Sequence, residues 1–455
     1  MESILRISPK IVFRRGLEAT AATAARPLHA LIVAPELCFL TTLAVMLFRP
    51  PDLQFYALDR IAFLLLFFIV ILRIFVLRQP FRILRPVTWP MLGLLMLALS
   101  GLLSQPYDPS NWSLFAAKWA VPFALYQLAG FVFDGTASLR TFEVFALLVL
   151  AYLTLMAIFF LMDIKFLIFP RYILDEGLGI HVDRARGPFL QAVANGVTLN
   201  LLGLIAMDSY RRNRLRGFPA LLLFISFPLA ILATKTRAVW ISCAVSILIL
   251  LLLSKSSRVR RACLCLALGS IVAIFAFTIF GGSDKSMNER LQERGPVEFR
   301  MEMYQVGWEM FLDRPLLGWK ADIIQREIGR RVNDFHPERF LFHNTYLEIA
   351  VEHGSLGLVL YLWIFVDLFR LGRVRNTTPT NNNFMDVEFR ALWPLLLGVY
   401  LLNASFVVMN YQFVNGLFFT MAGILASQNR RERFHAQNLG LSEYLVTNPQ
   451  EFLYT

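Results

Sequence analysis

Residues 141–162 read TFEVFALLVLAYLTLMAIFFLM, with Glu143 the one charged side chain in the stretch. As a helix such a segment rises roughly 33 Å, close to the ~30 Å of a bilayer's hydrocarbon core. Similar apolar runs recur on both sides of it, at approximately 29–48, 61–77, 88–104, 113–133, 190–207, 218–233, 239–254, 262–281, 346–369, 391–408 and 412–427. The pattern predicts an all-α membrane protein with about twelve transmembrane helices.

Composition agrees. Apolar residues make up 57% of the 455 positions, charged residues 17%, and the mean hydropathy is +0.56. A soluble domain carries about 25% charge, so this much apolar sequence exceeds what a water-soluble core can hide. Cys38, Cys243, Cys263 and Cys265 all fall in apolar runs, which argues against a disulfide framework or a zinc site. No cofactor and no metal are expected.

The net charge of +12 reads as topology and not as nucleic-acid binding, because Lys and Arg gather in cytoplasmic loops. With a basic, cytoplasmic segment 1–28 and no cleavable signal peptide, five basic connections fall on one side. These are Arg78–Arg85, Arg211–Arg216, Lys255–Arg261, Arg370–Arg390 and the tail from Arg430. Both termini are then cytoplasmic. The predicted order is 1–28 cytoplasmic, 29–281 spans 1–9, 282–345 a large outer loop, 346–427 spans 10–12 and 428–455 a cytoplasmic tail. Asn376–Asn383 reads as a flexible connection.

An outer loop of about 60 residues exceeds what joining two helices requires and points to function. Phe299, Met303, Val306 and Met310 recur at helical spacing within 298–312; Arg300, Tyr304, Trp308 and Phe311 form a neighbouring stripe. Pro315 and Gly318 break the pattern, and a basic helix is expected over 320–332.

Outer-side cations need a reason, since the topological bias depletes them. Arg184 and Arg186 precede span 6, Arg237 sits in a very short turn after Lys235, and Arg300 lies in the long loop. Singly, each also reads as a headgroup anchor. Together they offer planar donor forks suited to phosphate oxygens. His343, just before span 10, is a candidate proton acceptor near neutral pH. Asn344 reads as a helix cap. Glu348 and Glu352 enter span 10 early and should be buried and paired, one of them orienting His343. Lys118 is read as snorkelling outward or lining a cavity, and Arg73 as snorkelling to the cytoplasm.

Four pieces resemble the bacterial O-antigen ligase and polysaccharide polymerase superfamily: Arg184-Ala-Arg-Gly-Pro-Phe189; Thr234-Lys-Thr-Arg-Ala238; Arg300 with Trp308 and Pro315-Leu-Leu-Gly-Trp319; and His343-Asn-Thr-Tyr-Leu347 with Glu352-His-Gly354 and Gly357. The resemblance covers about 180–365. It implies an inverting, metal-independent membrane glycosyltransferase of the bacterial inner membrane, with the long loop periplasmic. The donor it implies is a glycan on undecaprenyl pyrophosphate. The acceptor is a hydroxyl on lipid A–core or on another glycan, as in lipopolysaccharide or exopolysaccharide assembly. His343 would activate the acceptor; Arg237 and Arg300, assisted by Arg184 or Arg186, would hold the pyrophosphate. Thr236 stands where the family usually has Ser and Ala238 where it often has Gly, the latter altering how closely a phosphate approaches the turn. The residues do not separate a polymerase, the first reading, from a ligase. The rival class is a transporter of a lipid-linked or anionic substrate, disfavoured because the two halves do not repeat.

Overall fold

The computed structural model describes residues 34–49, 57–78, 83–84, 87–179, 181–280, 295–332, 340–373, 384 and 386–447. The predicted segment 1–28, the connection Asn376–Asn383 and parts of 282–345 lie outside them.

The described residues form an all-α bundle. Its helices are α1 Pro35–Leu47, α2 Leu58–Val76, α3 Thr88–Leu103, α4 Pro109–Val132, α5 Thr136–Leu161, α6 Ala192–Arg211, α7 Gly217–Ala233, α8 Arg237–Leu253, α9 Ser257–Phe280, α10 Gly295–Asp313, α11 Ala321–Val332, α12 Thr345–Leu371, α13 Val387–Ala404 and α14 Gln412–Thr447. Four of them, α4, α5, α6 and α12, are long and apolar enough to cross a membrane; α1, α3, α7 and α8 are shorter apolar helices. The protein is a membrane-embedded helical bundle.

Local chemistry sets several boundaries. Pro109 starts α4, and the Asp108 carboxylate accepts from the Ser110 amide at 2.9 Å. Asp386 caps α13 through the Phe389 amide at 2.8 Å. The last helix does not stop at 427 but runs on through Thr447.

Packing is densest where α14 meets α4. A Cβ at Gly423 would stand 2.1 Å from the Tyr126 carbonyl oxygen, so this crossing exists only because the side chain is absent. Around it α12, α13 and α14 share an aromatic core: Trp393 stacks on Phe418 at 5.6 Å, and Phe418 on Tyr400 at 4.4 Å.

One end of the bundle is closed by ion pairs. Arg212 bonds Glu143 at 2.5 Å and Asp208 at 2.8 Å; Arg211 reaches Asp386 at 2.6 Å and Glu388 at 2.7 Å. These tie α5, α6 and α13 together. Arg73 is at this end too, but it does not snorkel: it is 9% exposed and 3.8 Å from Asp134. The predicted site residues lie at the other end.

Both expected loop helices form, as α10 and α11. Met303, Val306, Met310, Ile324 and Ile328 make a small core with Phe340, Phe342 and Val351. Phe299 and Trp308 are left exposed. This subdomain sits on the first turns of α12.

Candidate functional site

The short connection between α7 and α8 is shaped by its backbone. Lys235 is left-handed (φ 46°), and Thr236 is extended, its hydroxyl donating to the Thr234 carbonyl at 2.9 Å. Arg237 is thereby the exposed first residue of α8. A cation at a helix N-terminus opposes the macrodipole, an arrangement that an anion near the guanidinium and the first-turn amides relieves. The Ala185 amide donates to the Ala233 carbonyl at 2.9 Å, which fastens the Arg184–Phe189 segment beside this turn.

The two arginines of that segment part company. Arg186 is fully buried; its Nε and Nη2 donate to the Ile173 carbonyl at 3.1 and 2.9 Å, and the fork also reaches the carbonyls of Leu178 and Asp175. Its donors are spent holding the 173–178 loop. Arg184 is half-buried.

His343 is left-handed (φ 51°), directly before the cap of α12. The Asn344 side chain accepts from the Tyr346 and Leu347 amides at 3.0 and 3.1 Å. Thr345 Oγ1 donates to the Val407 carbonyl at 2.7 Å and accepts from the Met409 amide at 2.9 Å, anchoring this corner to the α13–α14 connection. Asn403, at the end of α13, donates to Ser242 Oγ of α8 at 3.1 Å. The starts of α8 and α12 are therefore at one end of the bundle.

Helix α10 brings Arg300 to the same corner. Burial lowers the His343 pKa from its ordinary value, and the charge of Arg300 lowers it further. The Tyr304 hydroxyl, one helical turn from Arg300, donates to the His343 carbonyl at 3.4 Å. The arrangement holds a neutral imidazole beside a fixed cation.

Both carboxylates are paired, Glu348 buried and Glu352 half-buried, and their partner comes from α4: Lys118 Nζ stands 3.0 Å from each. Lys118 does not snorkel; its side chain is 3% exposed, in a π-helical turn, Ala116–Ala120. Such turns recur at functional sites. The Lys118–Glu352 pair lines a cavity of about 320 Å³, with Gln105, Asn111, Trp119 and His353.

The segment after α10 docks onto α12 by backbone. The Trp319 amide donates to the Val351 carbonyl at 2.8 Å, and the Ser355 amide to the Pro315 carbonyl at 2.7 Å. Those groups are free because α12 breaks at Gly354 (φ 64°). A Cβ there would stand 2.2 Å from the Leu316 carbonyl oxygen, and one at Gly318 (φ 72°) 2.5 Å from that of Val351. Two of the sequence pieces are thus a single interlocked unit.

Among the described residues no group of three or more His, Cys, Asp or Glu side chains is placed to hold a metal ion. No curated protein matches the chain. Residues 220–362, less than half of the chain, match the family model of the O-antigen ligases; that stretch carries Arg237, Arg300, Pro315–Trp319 and His343, and through it this membrane protein is related to that family.

Proposed function

We propose that the protein is a membrane glycosyltransferase, moving a glycan from undecaprenyl pyrophosphate to a hydroxyl of a second glycan or of lipid A–core. The chain crosses the inner membrane about twelve times, both termini are cytoplasmic, and the site faces the periplasm. The observation that carries this reading is the placement of the Arg300 charge beside a half-buried His343 at one corner, inside the stretch related to O-antigen ligase.

In this reaction the acceptor oxygen forms a bond to the anomeric carbon, and the bond from that carbon to the pyrophosphate oxygen breaks on the opposite face. The acceptor's proton passes to the neutral imidazole of His343, for which an unprotonated ring is required. The leaving undecaprenyl pyrophosphate gains negative charge. Arg237, at the positive end of α8, receives it together with Arg300 and Arg184, and these fixed cations stabilise it without reorganisation. Asn344 holds the turn that presents His343, and Glu348 and Glu352, through Lys118, hold the helix behind it.

The test is transfer by the purified protein in proteoliposomes supplied with an undecaprenyl-pyrophosphate-linked glycan and an acceptor. Wild-type protein forms product, and His343→Ala loses about 10²–10⁴-fold. Undiminished transfer by His343→Ala refutes the assigned chemistry. A deletion strain separates the two outcomes of transfer: single repeat units without long chains indicate a polymerase, and intact lipid-linked polymer with a bare acceptor indicates a ligase.

A further inference from the structure

The Pro315–Trp319 segment belongs to the loop that the topology assigns to the aqueous side, yet it is placed deep against a membrane helix. Its backbone partners, Val351, Ser355 and Leu356, lie well inside α12. At 1.5 Å per residue Val351 is roughly 9 Å along the axis from Thr345, and Ser355 and Leu356 follow directly after the Gly354 break. The other end of α12 carries Asp367 and Arg370, paired at 2.9 Å. A hydrocarbon core of ~30 Å measured back from there takes in the Gly354 break. Pro315–Trp319 therefore descends to a level that lipid occupies.

Its composition matches that depth. Leu316 and Leu317 are 72% and 66% exposed, and Leu103 at the end of α3 is 66% exposed. Irregular backbone is tolerated at this level where its polar groups are satisfied by protein; the three bonds to α12 take up the Trp319 amide and the Pro315 and Leu316 carbonyls, and the Gly318 amide donates to the Arg314 carbonyl at 3.2 Å. The segment is flanked by Arg314 and Lys320. The Arg314 guanidinium lies 4.2 Å from the Trp319 ring centroid. Lys320 Nζ donates to the Ser104 carbonyl at 3.4 Å, and the Asp322 amide to Gln105 Oε1 at 3.2 Å, just past the end of α3. The chain thus goes down after one basic residue and is back at the level of the α3 end at the next, which is the pattern of interfacial cations around a membrane-seated stretch.

We infer that Pro315–Trp319 is a re-entrant strap seated in the hydrocarbon of the leaflet at the site end, its leucines against acyl chains. Its other side walls the cavity that holds Lys118 and Glu352. The partner is the lipid itself. If the function proposed above holds, a lipid-linked donor meets this wall sideways from the bilayer; the seat does not depend on that reading.

The experiment uses the full chain in phosphatidylcholine vesicles with Cys265, the exposed native cysteine among the described residues, replaced by alanine. Leu317→Cys carries a bimane label, and lipids brominated at the upper acyl carbons are the probe. Arg330→Cys, exposed on α11, is the aqueous control. The label at 317 loses most of its emission in brominated vesicles while that at 330 keeps it, and an impermeant maleimide modifies 317 far more slowly than 330. Equal modification rates and no quenching at 317 overturn the seat. Leu316→Cys repeats the measurement independently, and both positions are exposed, where substitution costs little. Quenching together with absent glycan transfer would retain the strap and reject the proposed function; transfer without quenching would do the reverse.

Discussion

Lys118 Nζ stands 3.0 Å from a carboxylate oxygen of Glu348, joining residues 230 positions apart in the chain. Glu352 is equally close. One ammonium against two carboxylates leaves the trio one negative charge in excess. It fixes the first turns of α12, and with them the corner that presents His343.

Lys118→Met strands both carboxylates. Removing one partner of a buried ion pair costs about 3–5 kcal/mol, so this variant should unfold at a clearly lower temperature in detergent. Glu352→Gln removes the excess charge and should be much milder. The triple variant Lys118→Met/Glu348→Gln/Glu352→Gln should recover much of the loss. A single Lys118→Met as stable as wild type would show the pairing to be dispensable.

The pH dependence of transfer follows from His343. Its folded pKa lies below the ordinary imidazole value of about 6.5, through burial first and Arg300 second. A base with a depressed pKa stays unprotonated to lower pH. The acid limb of the rate profile should therefore fall below pH 6.5, with full rate above it. Arg300→Gln removes one depressing charge, so the limb should move upward as the maximal rate drops about 10²–10³-fold, as for other leaving-group stabilisers. The same sign governs stability: protonating this half-buried ring is a cost met only as pH falls below the unfolded value. An Arg300→Gln limb that moves down, measured across pH 4.5–8, contradicts the placement.

Arg184 and Arg186 should separate cleanly. Arg186→Ala orphans the carbonyls of Ile173, Asp175 and Leu178, and each buried acceptor left unpaired costs about 1–3 kcal/mol. Low yield and early unfolding are the expected result. Arg184→Ala should fold normally and show weaker use of the lipid-linked donor, read as a raised KM. The reverse assignment of phenotypes would return Arg186 to the substrate site.

Much of this was legible in the chain. The apolar runs and their caps mark the helices because length and local hydrogen bonding decide them, and Met303, Val306 and Met310 mark the loop helix by spacing alone. Tyr304 was within reach too, one turn from Arg300 on the same helix. The Lys118 pairing was not, since no local signal links α4 to α12. Nor was the choice between Arg184 and Arg186, which depends on carbonyls contributed by residues 173–178. The length of α14 was not legible either: the apolar run ends at 427, yet charged residues such as Arg430 and Arg431 are good helix formers and the helix continues through them.

Gly354→Ala tests the interlock between the strap and α12. The new methyl would meet the Leu316 carbonyl at 2.2 Å, at a φ of 64° that alanine disfavours. Two relaxations are open. Residue 354 can turn helical, which closes α12 and recaptures the Ser355 amide from Pro315; or the strap can swing away with its docking bonds lost. Both free Arg314–Lys320 from the helix while leaving the apolar packing of α13 and α14 intact. The expected variant is therefore folded but cut by trypsin after Lys320 far faster than wild type, the Arg314–Pro315 bond being resistant. Gly318→Ala, whose methyl would meet the Val351 carbonyl from the other side, should give the same new fragments. If cleavage after Lys320 stays slow in both variants while overall stability falls, the two glycines serve the bundle and not the docking of the strap.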